Sequence, residues 1–161
     1  MCNMSVRKIR IALIEDPRTV WFYKHLFENA GYHVLEAENA KEGWKIICNQ
    51  KPDIIVLDTQ MPEIPGIELL KKIRKSEFSK HTPVLVLTSV KDSEEIKEIF
   101  KQGADYYALK GMDSPNMIKE TINQLLKTEQ EKRVIRSLDG KHSDDEEASA
   151  TEIDREFFWF E

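Results

Sequence analysis

Residues 53–58 read Asp-Ile-Ile-Val-Leu-Asp, and the apolar side chains between the two acids do not alternate with polar ones. A strand with one face in water alternates, whereas a strand covered on both faces inside a parallel sheet is apolar throughout. The segment Val84–Leu87 has the same character. Two such strands predict a parallel sheet with helices on both of its faces.

The segments around these two strands repeat one order, in which a short apolar strand is followed by a helix. Helices are predicted where apolar residues recur every three or four positions. The predicted strands are Ile9–Ile14, Tyr32–Ala37, Asp53–Asp58, Val84–Leu87 and Asp105–Leu109. The apolar stripes of the following helices are Val20, Tyr23, Phe27 and Ala30; Ala40, Trp44, Ile47 and Cys48; Leu69, Leu70 and Ile73; Ile96, Ile99 and Phe100; and Ile118, Ile122, Leu125 and Leu126. Five strand–helix units predict an α/β protein with a doubly wound parallel sheet and right-handed crossovers.

Residues with capping side chains indicate where several helices begin. Asp16 stands directly before Pro17, so we expect Asp16 to cap the first helix. Asn39 and Asp92 each have a glutamate three positions later, a pattern typical of helix starts. Ser114 precedes a proline and is expected to open the fifth helix.

Length and charge divide the chain into a folded domain and an acidic tail. The chain has 161 residues, of which 40% are hydrophobic and 33% charged, which suits one compact domain with a short appendage. Residues 128–161 contain eleven acids and five bases, whereas residues 1–127 contain eighteen acids and nineteen bases. We therefore predict a domain over 1–127 and a mostly disordered tail over 128–161, with a fifth helix that can run to about residue 137. The tail is too short and too acidic for a DNA-binding module.

The composition also argues against several classes of protein. No uninterrupted apolar run exceeds four residues, so no membrane span is expected. Residues 1–8 lack the pattern of an export signal, and a cytoplasmic location is expected. Two cysteines cannot build a disulfide framework, and the four histidines lack the spacing of zinc ligands.

Polar side chains follow four of the predicted strands. These residues are Glu15, Asp16, Asp58, Thr88 and Lys110. Any one of them alone would be an ordinary cap, packing residue or surface group, but open parallel sheets bind ligands at the carboxyl ends of their strands. Clustered carboxylates repel one another unless a cation lies among them, and a site rich in hard oxygen ligands suits Mg²⁺. The combination predicts a magnesium-dependent phosphoryl site.

The order and spacing of these motifs resemble the receiver domain of two-component response regulators. The motifs are the Glu15-Asp16 pair after a strand, the segment Val56–Pro62 around Asp58, Thr88-Ser89 at a strand end, and the segment Gly103–Lys110. The resemblance covers residues 8 to about 127, with 30 positions from Asp58 to Thr88 and 22 from Thr88 to Lys110. The expected fold is therefore a flavodoxin-like (βα)5 sheet with strand order 2-1-3-4-5.

The resemblance implies a role for each residue of the site. Asp58 would be the phosphoacceptor and, with Asp16 and the main-chain carbonyl of Gln60, a Mg²⁺ ligand, while Glu15 would assist through water. Lys110 would hold the phosphoryl group and the acceptor carboxylate. Such a reaction is nucleophilic catalysis by a carboxylate, with cations offsetting the charge on the transferring group.

Two further residues would convert phosphorylation into a signal. By resemblance, Thr88 would hydrogen-bond a phosphoryl oxygen, and Tyr107 would be the switch aromatic whose ring turns inward, with Tyr106 as its neighbour. The implied protein is a signalling switch and not an enzyme in the ordinary sense, although it assists its own phosphorylation and dephosphorylation. Its expected partners are a sensor histidine kinase or phosphotransfer protein and an unknown downstream protein, and it is expected to be a monomer or a weak homodimer.

The chain departs from the family pattern at two positions. Lys110 is usually followed by a proline in the family, and here Gly111 follows, which makes the loop more flexible. Pro65 stands before Gly66 where many relatives have an acidic residue. Neither departure removes a group that the chemistry needs.

Three other functions share parts of this pattern. A flavin-binding protein of the same topology would need a loop rich in glycine and hydroxyl groups after the first strand, and Glu15-Asp16 would repel a phosphate there. An aspartyl-phosphate phosphatase would need a second carboxylate at position 60, which is Gln. The strongest alternative is a receiver-like interaction module that works without phosphorylation, and Gly111 is the feature that favours it.

The acidic tail contains four consecutive aromatic residues, Phe157-Phe158-Trp159-Phe160. They either fold back on the domain or have no role, or they form a docking peptide, because aromatic side chains bury large areas at a modest cost in side-chain entropy. The sequence leaves both interpretations open.

Overall fold

A five-stranded parallel sheet forms the centre of the protein. The computed structural model describes residues 6–139, and the strands follow one another across the sheet in the order β2-β1-β3-β4-β5. The strands are Arg10–Ile14 (β1), His33–Ala37 (β2), Ile54–Leu57 (β3), Val84–Thr88 (β4) and Tyr106–Leu109 (β5). Neighbouring strands pair in parallel throughout, which confirms the predicted fold class and strand order.

Five helices cover the two faces of the sheet and create two separate cores. They are Val20–Asn29 (α1), Ala40–Gln50 (α2), Gly66–Lys75 (α3), Ser93–Lys101 (α4) and Pro115–Leu138 (α5). In β3, Ile55 and Leu57 belong to the core beneath α2 and α3, whereas Ile54 and Val56 belong to the core beneath α1 and α5. All four side chains are fully buried. A strand that supplies both cores has no polar face, and this explains the unbroken apolar run.

The predicted cap of α1 is wrong, whereas three other predicted caps are confirmed. Side chains at Asn39, Asp92 and Ser114 accept hydrogen bonds from the first turns of α2, α4 and α5. At the first helix, however, α1 begins only at Val20, and the Asp16 carboxylate accepts the main-chain N–H of Arg18 at 2.8 Å. Asp16 thus closes a turn ahead of the helix, because its carboxylate is already held by Arg18.

The apolar stripe predicted for α4 is buried only in part. Ile99 is 2% exposed, Ile96 is half-buried, and Phe100 is 45% exposed. The connection through α4 leads to β5, the edge strand of the sheet, so the sheet offers this helix a narrow apolar surface. Phe100 therefore remains on the surface.

Helix α5 is the longest helix of the described chain. Ile118 and Ile122 are buried, and Leu125 and Leu126 pack against the same core. Residues 128–138, which the sequence placed in the tail with allowance for a longer helix, continue α5 to Leu138. The acidic segment and the aromatic run 157–160 lie outside the described residues. Within residues 6–139, no helix combines the length and apolarity that a membrane crossing requires.

Candidate functional site

The carboxyl ends of β1, β3, β4 and β5 bring the predicted site residues to one edge of the sheet. Glu15 follows β1, Asp58 follows β3, and Lys110 follows β5. The ammonium group of Lys110 donates hydrogen bonds to Glu15 Oε1 and, at 2.8 Å, to Asp58 Oδ2. Because the Glu15 and Asp58 side chains are 0% and 2% exposed, the single positive charge of Lys110 faces two carboxylates that water hardly reaches.

Glu15 carries one saturated and one unpaired oxygen. Besides Lys110, its Oε1 accepts the Thr19 hydroxyl at 2.8 Å and the Asp16 N–H at 3.1 Å. Its Oε2 is buried without a hydrogen-bond partner within the described chain. Burial raises the pKa of Glu15 to about 7, and the charge of Asp58 adds to this effect, whereas Lys110 opposes it. An unpaired buried carboxylate oxygen is costly, and a cation or its bound water would satisfy it.

Asp16 is held by a single arginine. The Arg18 guanidinium donates to Asp16 Oδ1 through Nε at 2.8 Å and to Oδ2 through Nη2 at 2.9 Å. Hydrogen bonds from the side chain and main chain of Arg18 lower the pKa of Asp16 to about 2. Arg18 was not among the predicted site residues. The signal that could have revealed it is its position, two residues after an acid at a strand end.

The oxygen donors at this edge fit Mg²⁺, although they are not assembled around one point. Among residues 6–139, no group of three or more His, Cys, Asp or Glu side chains is arranged to hold a metal ion. Mg²⁺ needs only one or two carboxylates when waters, a main-chain carbonyl and a phosphate oxygen complete its shell. Asp58 Oδ1 accepts the Gln60 N–H at 2.9 Å, so the Gln60 backbone lies beside the Asp58 carboxylate. The donor set is therefore suitable for Mg²⁺.

Thr88 is connected by hydrogen bonds to the loop after β4. Its hydroxyl lies 2.8 Å from the Thr59 hydroxyl and accepts the Val90 N–H at 3.2 Å. The Val90 carbonyl in turn accepts the Tyr107 hydroxyl at 3.0 Å. Tyr106 is 40% exposed. Thr59, which the sequence did not single out, thus adjoins both Asp58 and the Thr88 hydroxyl.

Two glycines shape the loops of the site. A Cβ atom at Gly66 would lie 1.9 Å from the Asp58 carbonyl oxygen, so the first turn of α3 is pressed against the backbone of Asp58. Gly111 has φ +73°, in the left-handed region that favours glycine. The residue after Lys110 therefore has a backbone conformation that proline, with φ near −65°, cannot adopt.

Comparisons with known proteins identify a family for most of the chain. The family model described as "Response regulator receiver domain" matches residues 11–123. Protein PilH of Pseudomonas aeruginosa is 33% identical over 119 residues, which cover 73% of this chain and 97% of PilH. The phosphate regulon transcriptional regulatory protein PhoB of the same organism is 33% identical over 100 residues, and the match spans 62% of this chain but only 43% of PhoB.

A solved structure agrees with the sequence comparison. The CheY-like response regulator receiver domain protein of Methanospirillum hungatei superimposes with a TM-score of 0.71 at 26% identity. The superposition covers 78% of this chain and 99% of that chain. The similarity therefore extends over nearly the whole of that domain.

Proposed function

The chain belongs to the response regulator receiver domain family of two-component signalling, and from this we propose that it is a phosphorylation-dependent switch with Asp58 as phosphoacceptor. The observation that carries the proposal is the buried contact of Lys110 with Asp58 and Glu15 at the carboxyl edge of the sheet. A carboxylate held beside an ammonium group is poised to attack a phosphoryl group, because the cation offsets the charge that develops.

The described residues divide the work of the transfer. An Asp58 oxygen forms the new bond to phosphorus while the bond from phosphorus to the donor breaks, and the donor is the phosphorylated histidine of a kinase or phosphotransfer protein. Lys110 remains within reach of the new acyl phosphate, since its ammonium group already contacts Asp58 Oδ2 at 2.8 Å. Asp16, Asp58 and the Gln60 carbonyl would hold Mg²⁺, with Glu15 acting through water, and the ion would supply positive charge at the phosphoryl oxygens.

The signal would leave the site through Thr88. In the described state the Thr88 hydroxyl bonds Thr59 and Val90, and Tyr107 is tied to the same loop through the Val90 carbonyl. A phosphoryl group on Asp58 would draw the Thr88 hydroxyl toward it and rearrange this loop and the ring of Tyr107. The changed surface, formed by α4, β5 and α5, would bind a downstream protein, and the chain would act as a monomer or a weak homodimer.

Intact-mass measurement tests the acceptor. After incubation with acetyl phosphate and Mg²⁺, the protein should gain one phosphoryl group, and EDTA should prevent the gain. Asp58→Asn should abolish the labelling, whereas Asp139→Asn, at an exposed aspartate beyond the end of α5, should preserve it. Equal labelling of Asp58→Asn would contradict the assignment. Failure of the wild type and of both variants to accept the phosphoryl group would favour a receiver-like module that works without phosphorylation.

Nuclear magnetic resonance tests the switch. Beryllofluoride with Mg²⁺, a mimic of the phosphoryl group, should shift amide signals across residues 88–112. Shifts confined to the neighbours of Asp58 and Asp16 would show that the site is not coupled to that surface.

A further inference from the structure

We propose that Arg18 is a resident counter-ion of Asp16 that competes with Mg²⁺ and so sets the magnesium concentration at which the site becomes ready for phosphorylation. The inference rests on the proposed function, because it concerns the metal site of that function. Arg18 is neither the proposed phosphoacceptor nor one of the predicted magnesium ligands.

Arg18 occupies the Asp16 carboxylate almost completely. Oδ1 accepts two hydrogen bonds, from the main-chain N–H and from Nε of Arg18, both at 2.8 Å. Oδ2 accepts a third from Nη2 at 2.9 Å. A carboxylate oxygen has two lone pairs, so Oδ1 is saturated and Oδ2 keeps a single free position. A direct bond to a metal ion through Oδ1 therefore requires at least one contact of Arg18 to break.

Electrostatics makes the two cations exclude each other further. A guanidinium that donates to both oxygens of a carboxylate lies in the region where a metal ion on the same carboxylate would bind. At such a distance the two positive charges repel each other. Mg²⁺ also demands near-octahedral geometry and short bonds, so a carboxylate oxygen can bind it only through a lone pair that accepts no hydrogen bond.

The ion pair between Arg18 and Asp16 can open without burying a free charge. The Asp16 side chain is 12% exposed, whereas the Arg18 side chain is 86% exposed, so a released guanidinium passes directly into water. Because one partner of the pair is already in water, opening the pair costs little free energy. Lys110, in contrast, is 13% exposed and bonds the Glu15 and Asp58 carboxylates instead of Asp16. Arg18 is therefore the competitor at the oxygens of Asp16, and Lys110 is not.

Removal of the side chain should strengthen magnesium binding. Isothermal titration of Mg²⁺ into the wild type and Arg18→Ala, at constant ionic strength and without phosphodonor, should give a Kd about two- to fivefold lower for the variant, the range expected when an exposed ion pair is lost. Arg18→Lys keeps the positive charge but lacks the parallel pair of N–H donors, and its Kd should lie between the other two. A second readout is the Nε–Hε signal of Arg18, which should shift during the titration with the same Kd.

Arg7→Ala is the matched control. Arg7 is also an exposed arginine paired with an aspartate, Asp53, but it precedes β1 at the opposite edge of the sheet. The control removes the same charge and should leave the Kd unchanged. An unchanged or raised Kd in Arg18→Ala, or an equal decrease in both variants, would overturn the inference. Absence of Mg²⁺ binding in every protein, the wild type included, would instead contradict the proposed function, and the inference with it.

Discussion

Substitution of Gly66 by alanine should disturb, through the backbone alone, the loop that carries the proposed phosphoacceptor Asp58. The added Cβ would lie 1.9 Å from the Asp58 carbonyl oxygen and 2.8 Å from Thr59 Cα. Carbon and oxygen atoms that do not bond normally stay more than about 3.4 Å apart, so helix α3 or the segment 58–59 must move by roughly 1.5 Å. Both the helix and this segment would have to move as main chain, because no flexible side chain is there to turn aside. The Gly66 N–H also bonds the Thr59 carbonyl at 3.0 Å and resists the movement.

The cost follows from overpacking. Forcing one extra methyl group into a well-packed site typically lowers the free energy of unfolding by about 1–3 kcal/mol. Because the methyl group here meets main-chain atoms, we expect about 3 kcal/mol, the upper end of that range. Urea denaturation should therefore show a lower midpoint for Gly66→Ala with little change in slope. The displaced Asp58 should also accept phosphate from acetyl phosphate more slowly, because small errors in the position of a reacting group are costly.

Gly31 provides the control for this substitution. Gly31 has φ +93°, and a Cβ atom added there would meet no other atom within 4 Å, so Gly31→Ala incurs only the left-handed backbone penalty of about 1 kcal/mol. Phosphorylation of Gly31→Ala should be unaffected, since Gly31 lies between α1 and β2. If Gly66→Ala proved as stable as the wild type and accepted phosphate at the same rate, the close packing of α3 against the acceptor loop would be refuted.

Three further substitutions test local features of the fold. Because burial raises the pKa of Glu15 from 4.5 to about 7, the folded protein retains a proton that the unfolded chain releases, so the contribution of Glu15 to stability should be highest below pH 4.5 and fall as the pH rises to about 7. Glu15→Gln should remove this pH dependence of the free energy of unfolding, which amounts to on the order of 3 kcal/mol. The measurement is urea denaturation of both proteins at a series of pH values without metal, and parallel pH profiles of the two proteins would contradict the raised pKa. Gly111→Pro should lower the free energy of unfolding by more than about 1 kcal/mol, since φ is +73° at this position, and a stabilised variant would show that the loop after Lys110 adopts another conformation. Asn39→Ala should cost about 1 kcal/mol through loss of the hydrogen bond from the Glu42 N–H, and thermal unfolding with no change would mean that this cap is not formed in solution.

Much of the sheet could be predicted because burial on both faces leaves a direct trace in the sequence. The four apolar residues of β3 and the first four of β4 are all fully buried, as expected of strands that helices cover on both faces. The meeting of Glu15, Asp58 and Lys110 was predictable for a related reason. Each stands where an apolar run ends, and the topology brings those ends together.

Features that depend on competition between neighbouring groups were not predictable. Asp16 has the sequence position of a helix cap, but its carboxylate accepts hydrogen bonds from Arg18. The sequence pattern does not show whether a carboxylate will bond the helix N–H groups or a nearby arginine. The exposure of Phe100 depends on how much sheet surface α4 can cover, which is a property of the assembled sheet. The bond between Thr59 and Thr88 joins residues 29 positions apart and becomes visible only in three dimensions.

Helix α5 is long enough to connect the two ends of the sheet. At 1.5 Å per residue the 24 residues of this helix span about 36 Å. The helix begins just beyond the Lys110 loop, and its buried Glu129, paired with Arg136, lines one cavity with Ile9 and Asp53 near the amino-terminal ends of β1 and β3. Ile118 and Ile122 hold the first half of α5 in the core, whereas the residues from Gln130 to Leu138 are exposed apart from Arg136, which is half-buried. A shift of the first turn near Lys110 must therefore pass through these core contacts before it can reach the exposed end of the helix.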